Sequence, residues 1–186
     1  MINHKLKFIY IHVDKTGGSS IASSISTEIR VSKKGGTYAA SEKHWSIKKY
    51  NDTAKNSAKY KKYFKFAFVR NPWDRLVSKY FFDRKSGRSS EESFKNWAKS
   101  RKGLKPQLGY LTINDEVAVD FIGRYENLQE DFNIVCDKIG APQQQLPHAN
   151  KTKHKHYTKY YDAELREIIG ERYAKDIEYF GYEFGE

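Results

Sequence analysis

The residues best suited to chemistry in this 186-residue chain sit in two short polar runs. The first is Lys15-Thr16-Gly17-Gly18-Ser19-Ser20. Paired glycines let backbone N–H groups approach an oxyanion closely. Lys15 adds a full charge, and Thr16, Ser19 and Ser20 add hydroxyl donors. The second run is Arg70-Asn71-Pro72-Trp73-Asp74-Arg75-Leu76-Val77-Ser78. Arg70 carries a planar fork that matches a phosphate, and Ser78 follows two helical turns later. Asp74 and Arg75 read as a structural ion pair. Each run by itself also has an ordinary reading, as a glycine-rich strand-to-helix turn and as a salt-bridged arginine.

The elements around these runs give them a position. Lys7–Val13 (KFIYIHV) is an apolar, β-branched and aromatic run that predicts a buried strand. Ile21, Ile25 and Ile29 then recur at helical spacing, with Ser19 or Ser20 as the expected N-cap. Phe64–Val69 (FKFAFV) predicts a second buried strand. Pro72 suits the first position of a helix that buries Trp73, Leu76, Val77, Tyr80 and Phe81. Strand–turn–helix thus occurs twice, which is how a parallel α/β sheet reads in sequence. Both polar runs fall at carboxyl ends of strands, where such sheets collect ligands. A surface helix is expected over residues 51–62 and loop over 31–43. A short helix is expected over 93–99, irregular chain over 102–114, and a strand at Val117–Ile122. Further helices are expected over Leu128–Ile139, stopped by Gly140, and after Asp162. No repeat or linker divides the chain, so the expectation is one domain, 1–186.

Composition narrows the classes. Lys plus Arg number 34 against 23 Asp plus Glu, a net charge of +11, which suits an anionic ligand or a solvated lysine-rich surface. Aromatic residues make up 15% of the chain, enough apolar area to exclude a disordered basic tail. The one cysteine, Cys136, excludes an internal disulfide and a cysteine-based zinc cluster. Nothing reads as a signal peptide or membrane span, so a soluble, cytoplasmic protein is expected.

Together the two runs resemble the nucleotide-binding signatures of sulfotransferases that use 3′-phosphoadenosine-5′-phosphosulfate (PAPS). They are similar in particular to those of the carbohydrate sulfotransferases related to the heparan sulfate 2-O type. In that family the first signature reads hydrophobic-I-H-x-P-K-T-G-G-[ST]-S and holds the 5′-phosphosulfate. The second reads F-x-x-R-N-P-[YW]-x-R-x-x-S-x-[YF], and its Arg and Ser hold the 3′-phosphate. The matching positions here are Lys15 to Ser20, and Arg70 with Ser78. Asp14 departs from the pattern, standing where the family has proline. A weaker resemblance runs through Gly123-Arg124-Tyr125-Glu126-Asn127-Leu128 and through 146–152, and residues 83–116 have no match.

The resemblance implies a P-loop-like three-layer α/β fold, with a central parallel β-sheet flanked by helices. It implies sulfuryl transfer from PAPS to an acceptor hydroxyl or amine, a carbohydrate by analogy, with adenosine 3′,5′-bisphosphate (PAP) as product and no metal. Lys15 and the loop N–H groups would meet the charge that builds on the oxygen leaving sulfur. Tyr125 would stack on adenine, and Lys151 and Thr152 belong to a late loop that closes over the nucleotide in relatives. An acceptor hydroxyl also needs a base. Of the six histidines, His12 reads as a core residue, His4 as terminal, and His154 and His156 as surface. His44, in the region where related carbohydrate enzymes carry their base, is the preferred candidate, and His148 is the second.

Two other classes stay open on sequence. A kinase-like phosphotransferase would need a metal-assisted phosphate site. Its G-x-x-x-x-G-K-[ST] loop is missing, and here the lysine precedes the glycines. A non-catalytic polyanion or nucleic-acid module could use Lys33-Lys34, Lys48-Lys49, Lys61-Lys62 and 151–155 as a basic stripe. The preferred reading has no nucleic-acid or membrane partner and allows a homodimer.

Overall fold

A computed structural model describes residues 1–28, 44–53, 60–88, 92–100, 104–147 and 154–186. Their contacts group the chain into two units, one of residues 1–69 and 107–149 and the other of 70–106 and 150–186.

The first unit is built on a four-stranded sheet in the order β1-β2-β3-β6, where β1 is Ile2–Asn3, β2 is Phe8–Ile11, β3 is Phe64–Val69 and β6 is Phe121–Arg124. β1 runs antiparallel to β2, while β2, β3 and β6 are parallel, with Ile11 opposite Ala67 and Val69 opposite Arg124. The carboxyl ends of the three parallel strands therefore share one sheet edge. Helix α1 (Gly18–Glu28) follows β2, and α2 (Ile47–Thr53) precedes β3. Phe8, Tyr10, Phe66 and Phe68 from the sheet pack with Ile21 and Ile25 of α1 into one buried cluster. Phe132, Val135 and Ile139, from the helix that follows β6, complete that cluster. Full burial of side chains this size stabilises by ~1.5–3 kcal/mol each. The unit is α/β, with a mostly parallel sheet flanked by helices.

The second unit is helical. It contains α3 (Pro72–Lys85), α4 (Phe94–Ser100), a 3₁₀ turn at Tyr157–Tyr160, α7 (Ala163–Arg172) and α8 (Ala174–Phe180). Trp73, Leu76, Val77, Tyr80, Trp97, Leu165 and Ile169 form its buried cluster. Two polar atoms among these rings are satisfied locally: Trp73 Nε1 donates to the Arg166 carbonyl at 3.1 Å, and the Tyr161 hydroxyl donates to the Trp73 carbonyl at 2.9 Å. Burial pushes the Tyr161 and Tyr157 phenols above their ordinary values, which keeps both protonated.

Several expectations shift on the structure. Helix α1 begins at Gly18, because the Gly17 carbonyl accepts from the N–H groups of Ser20 and Ile21. Ser19 and Ser20 thus lie inside its first turn and do not cap it. The strand expected at Val117–Ile122 instead runs Phe121–Arg124. Asp120 ends the preceding loop, its carboxylate accepting from the Lys65 N–H at 2.6 Å. The chain before it, read as irregular, holds the short helix α5 (Leu108–Leu111) and a hairpin of β4 (Thr112–Ile113) and β5 (Glu116–Val117). Helix α6 (Leu128–Ile139) ends as expected at Gly140, whose φ of 67° is left-handed. Of the helix expected over 51–62, residues 51–53 close α2 and 60–61 are helical, while 54–59, like 31–43, lie outside the described residues.

Candidate functional site

The turn between β2 and α1 is shaped by two close approaches. Gly17 has φ +81°, and a Cβ there would stand 2.8 Å from the Leu128 side chain and 3.4 Å from the Tyr125 ring. At Gly18 a Cβ would lie 2.1 Å from Nε2 of His12. Both glycines are therefore required by neighbours on the same unit. Lys15 itself has φ 67°, a left-handed conformation uncommon for a residue with a side chain.

Beyond this turn the first N–H groups of α1 have no carbonyl partner within the helix. With the helix dipole they favour an anion by ~0.3–1 kcal/mol. Lys15 is half-buried and Ser19 exposed, while Thr16 and Ser20 are buried. The Thr16 hydroxyl donates to the Val13 carbonyl at 3.0 Å. Its proton is thus committed to holding the turn, which leaves the backbone of Thr16 as the part that can serve a ligand.

His44 stands beside this turn. Its Nε2 is 3.0 Å from Asp14 Oδ1, and its Nδ1 is 3.0 Å from the His12 carbonyl oxygen. The His12 and His44 rings lie 4.6 Å apart. Asp14 Oδ2 also accepts from the Tyr110 hydroxyl at 3.3 Å. The carboxylate that stands in place of the resembled family's proline is therefore joined to the candidate base. Sequence spacing could not have found this pair, since the two residues are thirty positions apart, nor its Tyr110 contact. His44 shares with Lys15 a positive φ, also 67°. His12 is buried as expected of it, and its ring stacks on Tyr10.

Tyr125 follows β6 directly and borders Gly17, so it belongs to the same sheet edge as Lys15. Of the sequence-derived candidates, this unit brings together Lys15, Thr16, Gly17, Gly18, Ser19, Ser20, His44 and Tyr125.

Arg70 and Ser78 belong to the second unit. Arg70 is buried, and its Nη2 and Nε lie 2.7 and 2.8 Å from Asp74 Oδ2. The expected pairing of Asp74 with Arg75 is corrected by this contact: the Asp74 carboxylate holds Arg70, one helical turn back. Arg75 is buried and gives Nη1 to the Lys105 carbonyl at 3.0 Å. Asn71 caps α3, accepting from the Trp73 N–H, and Pro72 occupies the first helical position as the sequence predicted. Ser78 is buried on the same helical face as Asp74, four residues on.

Lys151 and Thr152, and the second base candidate His148, lie outside the described residues. Among the described residues, no three His, Cys, Asp or Glu side chains cluster so as to hold a metal ion. No helix among them is long and apolar enough to cross a membrane.

The chain belongs to the sulfotransferase family, whose model matches residues 1–183. Carbohydrate sulfotransferase 14 of Danio rerio is 29% identical over 162 residues, covering 64% of this chain and 44% of that protein. This chain thus spans under half the length of that relative. An uncharacterised protein of Archaeoglobus fulgidus is 41% identical over 86 residues, covering 44% of this chain and 72% of that one. The crystal structure of a sulfotransferase from Alicyclobacillus acidocaldarius shares the fold, with a TM-score of 0.52 at 15% identity over 92% of each chain.

Proposed function

We propose that this protein moves a sulfuryl group from PAPS to an acceptor hydroxyl, the acceptor being a carbohydrate. The observation that carries the reading is the turn from Lys15 to Ser20, whose two glycines leave no room for side chains and whose lysine is held in a left-handed conformation at the start of α1. Family membership supports sulfuryl transfer, and the zebrafish relative's name supports a carbohydrate acceptor.

In this reading Lys15, the backbone of Thr16, Gly17 and Gly18, and Ser19 and Ser20 hold the 5′-phosphosulfate. Arg70, oriented by Asp74, and Ser78 hold the 3′-phosphate. Tyr125 stacks on adenine, and Lys151 and Thr152 close over the nucleotide. The acceptor oxygen forms a bond to sulfur as the bond from sulfur to its bridging oxygen breaks. The electron pair stays on the 5′-phosphate oxygen of PAP. Lys15 and the first N–H groups of α1 face that growing charge, so they stabilise the transition state more than the bound donor. Activation of the acceptor hydroxyl falls to the pair formed by His44 and Asp14. No metal is required where a lysine, an arginine and backbone N–H groups neutralise the phosphates. The same reading takes residues 1–186 as one transferase domain of the cytoplasm, alone or as a homodimer.

Thermal shift with PAP against ATP plus magnesium tests this. Stabilisation by PAP supports the reading, and stabilisation by ATP with magnesium alone replaces it with a phosphotransferase.

A further inference from the structure

A carbonyl oxygen only accepts hydrogen bonds, so the 3.0 Å contact to the His12 carbonyl places a proton on Nδ1 of His44. The 3.0 Å contact from Nε2 to Asp14 Oδ1 needs a second proton between ring and carboxylate. His44 in this arrangement donates from both nitrogens and has no lone pair with which to take a proton. The Asp14 carboxylate, in contrast, is an acceptor at both oxygens and can take several hydrogen bonds at once. Its side chain is 30% exposed and that of His44 28%, so an acceptor molecule can reach the pair. Tyr110 donates to the other carboxylate oxygen, which fixes the plane of the group.

We infer that the atom which receives the acceptor's proton is a carboxylate oxygen of Asp14, and that His44 and Tyr110 are the positioning residues that hold this carboxylate beside Lys15. The inference rests on the sulfotransferase reading and divides the labour within its site. The acceptor O–H gives its proton to Asp14 as its oxygen bonds to sulfur. The bridging S–O bond breaks, and its electrons leave with PAP. Asp14 ends as a neutral carboxyl group beside the His44 imidazolium, and it returns the proton to solvent after product leaves. A carboxylate is a weak base, which suffices where breaking of the bond to the leaving group runs ahead of proton loss from the acceptor.

The test compares Asp14→Asn with His44→Gln, whose amide still donates toward Asp14, in two reactions. One is release of inorganic sulfate from ³⁵S-labelled PAPS with water as acceptor, where a proton must be removed. The other is sulfuryl exchange from p-nitrophenyl sulfate to PAP, where the departing phenolate needs little protonation. Asp14→Asn is expected to slow the water reaction about 100-fold or more, the usual worth of a positioned base. It should slow the exchange reaction less than ~10-fold, the gap reflecting how little a good leaving group needs proton transfer. His44→Gln should be the milder variant in the water reaction. Calorimetry should show PAP affinity unchanged or raised in Asp14→Asn, and melting curves should show both variants folded. Equal losses in the two reactions, a larger loss in His44→Gln, or a PAP-binding wild type with no turnover in either reaction would overturn the inference. A wild type that does not bind PAP would overturn the donor reading beneath it.

Discussion

The imidazole of His12 covers Gly18 so closely that a single added carbon at Gly18 would lie 2.1 Å from its Nε2. His12 is buried and stacked on Tyr10, so the ring has little freedom to withdraw. Gly18→Ala is expected to overpack this contact, costing about 1–3 kcal/mol of stability, and to weaken PAP binding through displacement of the turn. Urea melts of the variant alone and combined with His12→Ala check the cause. The double variant should recover part of the lost stability.

Lys15→Ala removes the charge that meets the leaving phosphate oxygen while leaving the glycine turn in place. Sulfuryl transfer should fall by at least about 100-fold, the cost typical of one transition-state donor, with the melting temperature within a few degrees of wild type. Near-normal transfer in this variant would remove Lys15 from the mechanism.

Asp74 holds the guanidinium of Arg70 through Nε and Nη2. Arg70→Ala should weaken PAP binding by about 10-fold or more, as befits loss of a charge-assisted pair. Arg70→Lys should rescue it poorly, because an ammonium lacks the planar fork. Titration of PAP into both variants reads this out, and equal affinity for wild type and Arg70→Ala takes Arg70 out of the donor site.

Asp162 caps α7 by accepting from the Leu165 N–H at 2.8 Å. Its hydrogen bond from Lys95, and then that N–H, hold its carboxyl below the usual range. A lowered folded value means that its stabilisation is present above about pH 4, the ordinary carboxyl value, and is lost as pH falls through the folded value. Asp162→Ala should therefore melt a few degrees below wild type at pH 7, with the difference closing under about pH 4. A constant difference across that range would assign the effect to something other than the charged cap.

Local patterns made much of the frame readable. Phe64–Val69 is a continuous apolar run, Pro72 can only start a helix, and Gly140 supplies the left-handed residue that ends one. The hairpin at 112–117 went unread, though its turn carries a small sign. Asn114 and Asp115 both take positive φ, 52° and 65°, as a two-residue primed turn demands, and asparagine and aspartate tolerate that region best. It was hidden because its strands have two residues each. The turn at Lys15 was legible as a strand-to-helix turn because its residues are contiguous. The candidate site was illegible where folding joins distant positions: Asp14 to His44 across the first crossover, and Asp14 to Tyr110 from a segment with no motif of its own. Asp74 was assigned to the wrong arginine because Arg75, its chain neighbour, points elsewhere on the helix and Arg70 lies one turn away.

Isothermal titration of PAP into the wild-type protein, Lys15→Ala and Arg70→Ala probes the donor site most directly. The account predicts one PAP bound per chain to the wild type, with clearly weaker binding in each variant. Wild-type protein that gives no heat with PAP at saturating concentration, or binds it equally well without either side chain, would contradict it.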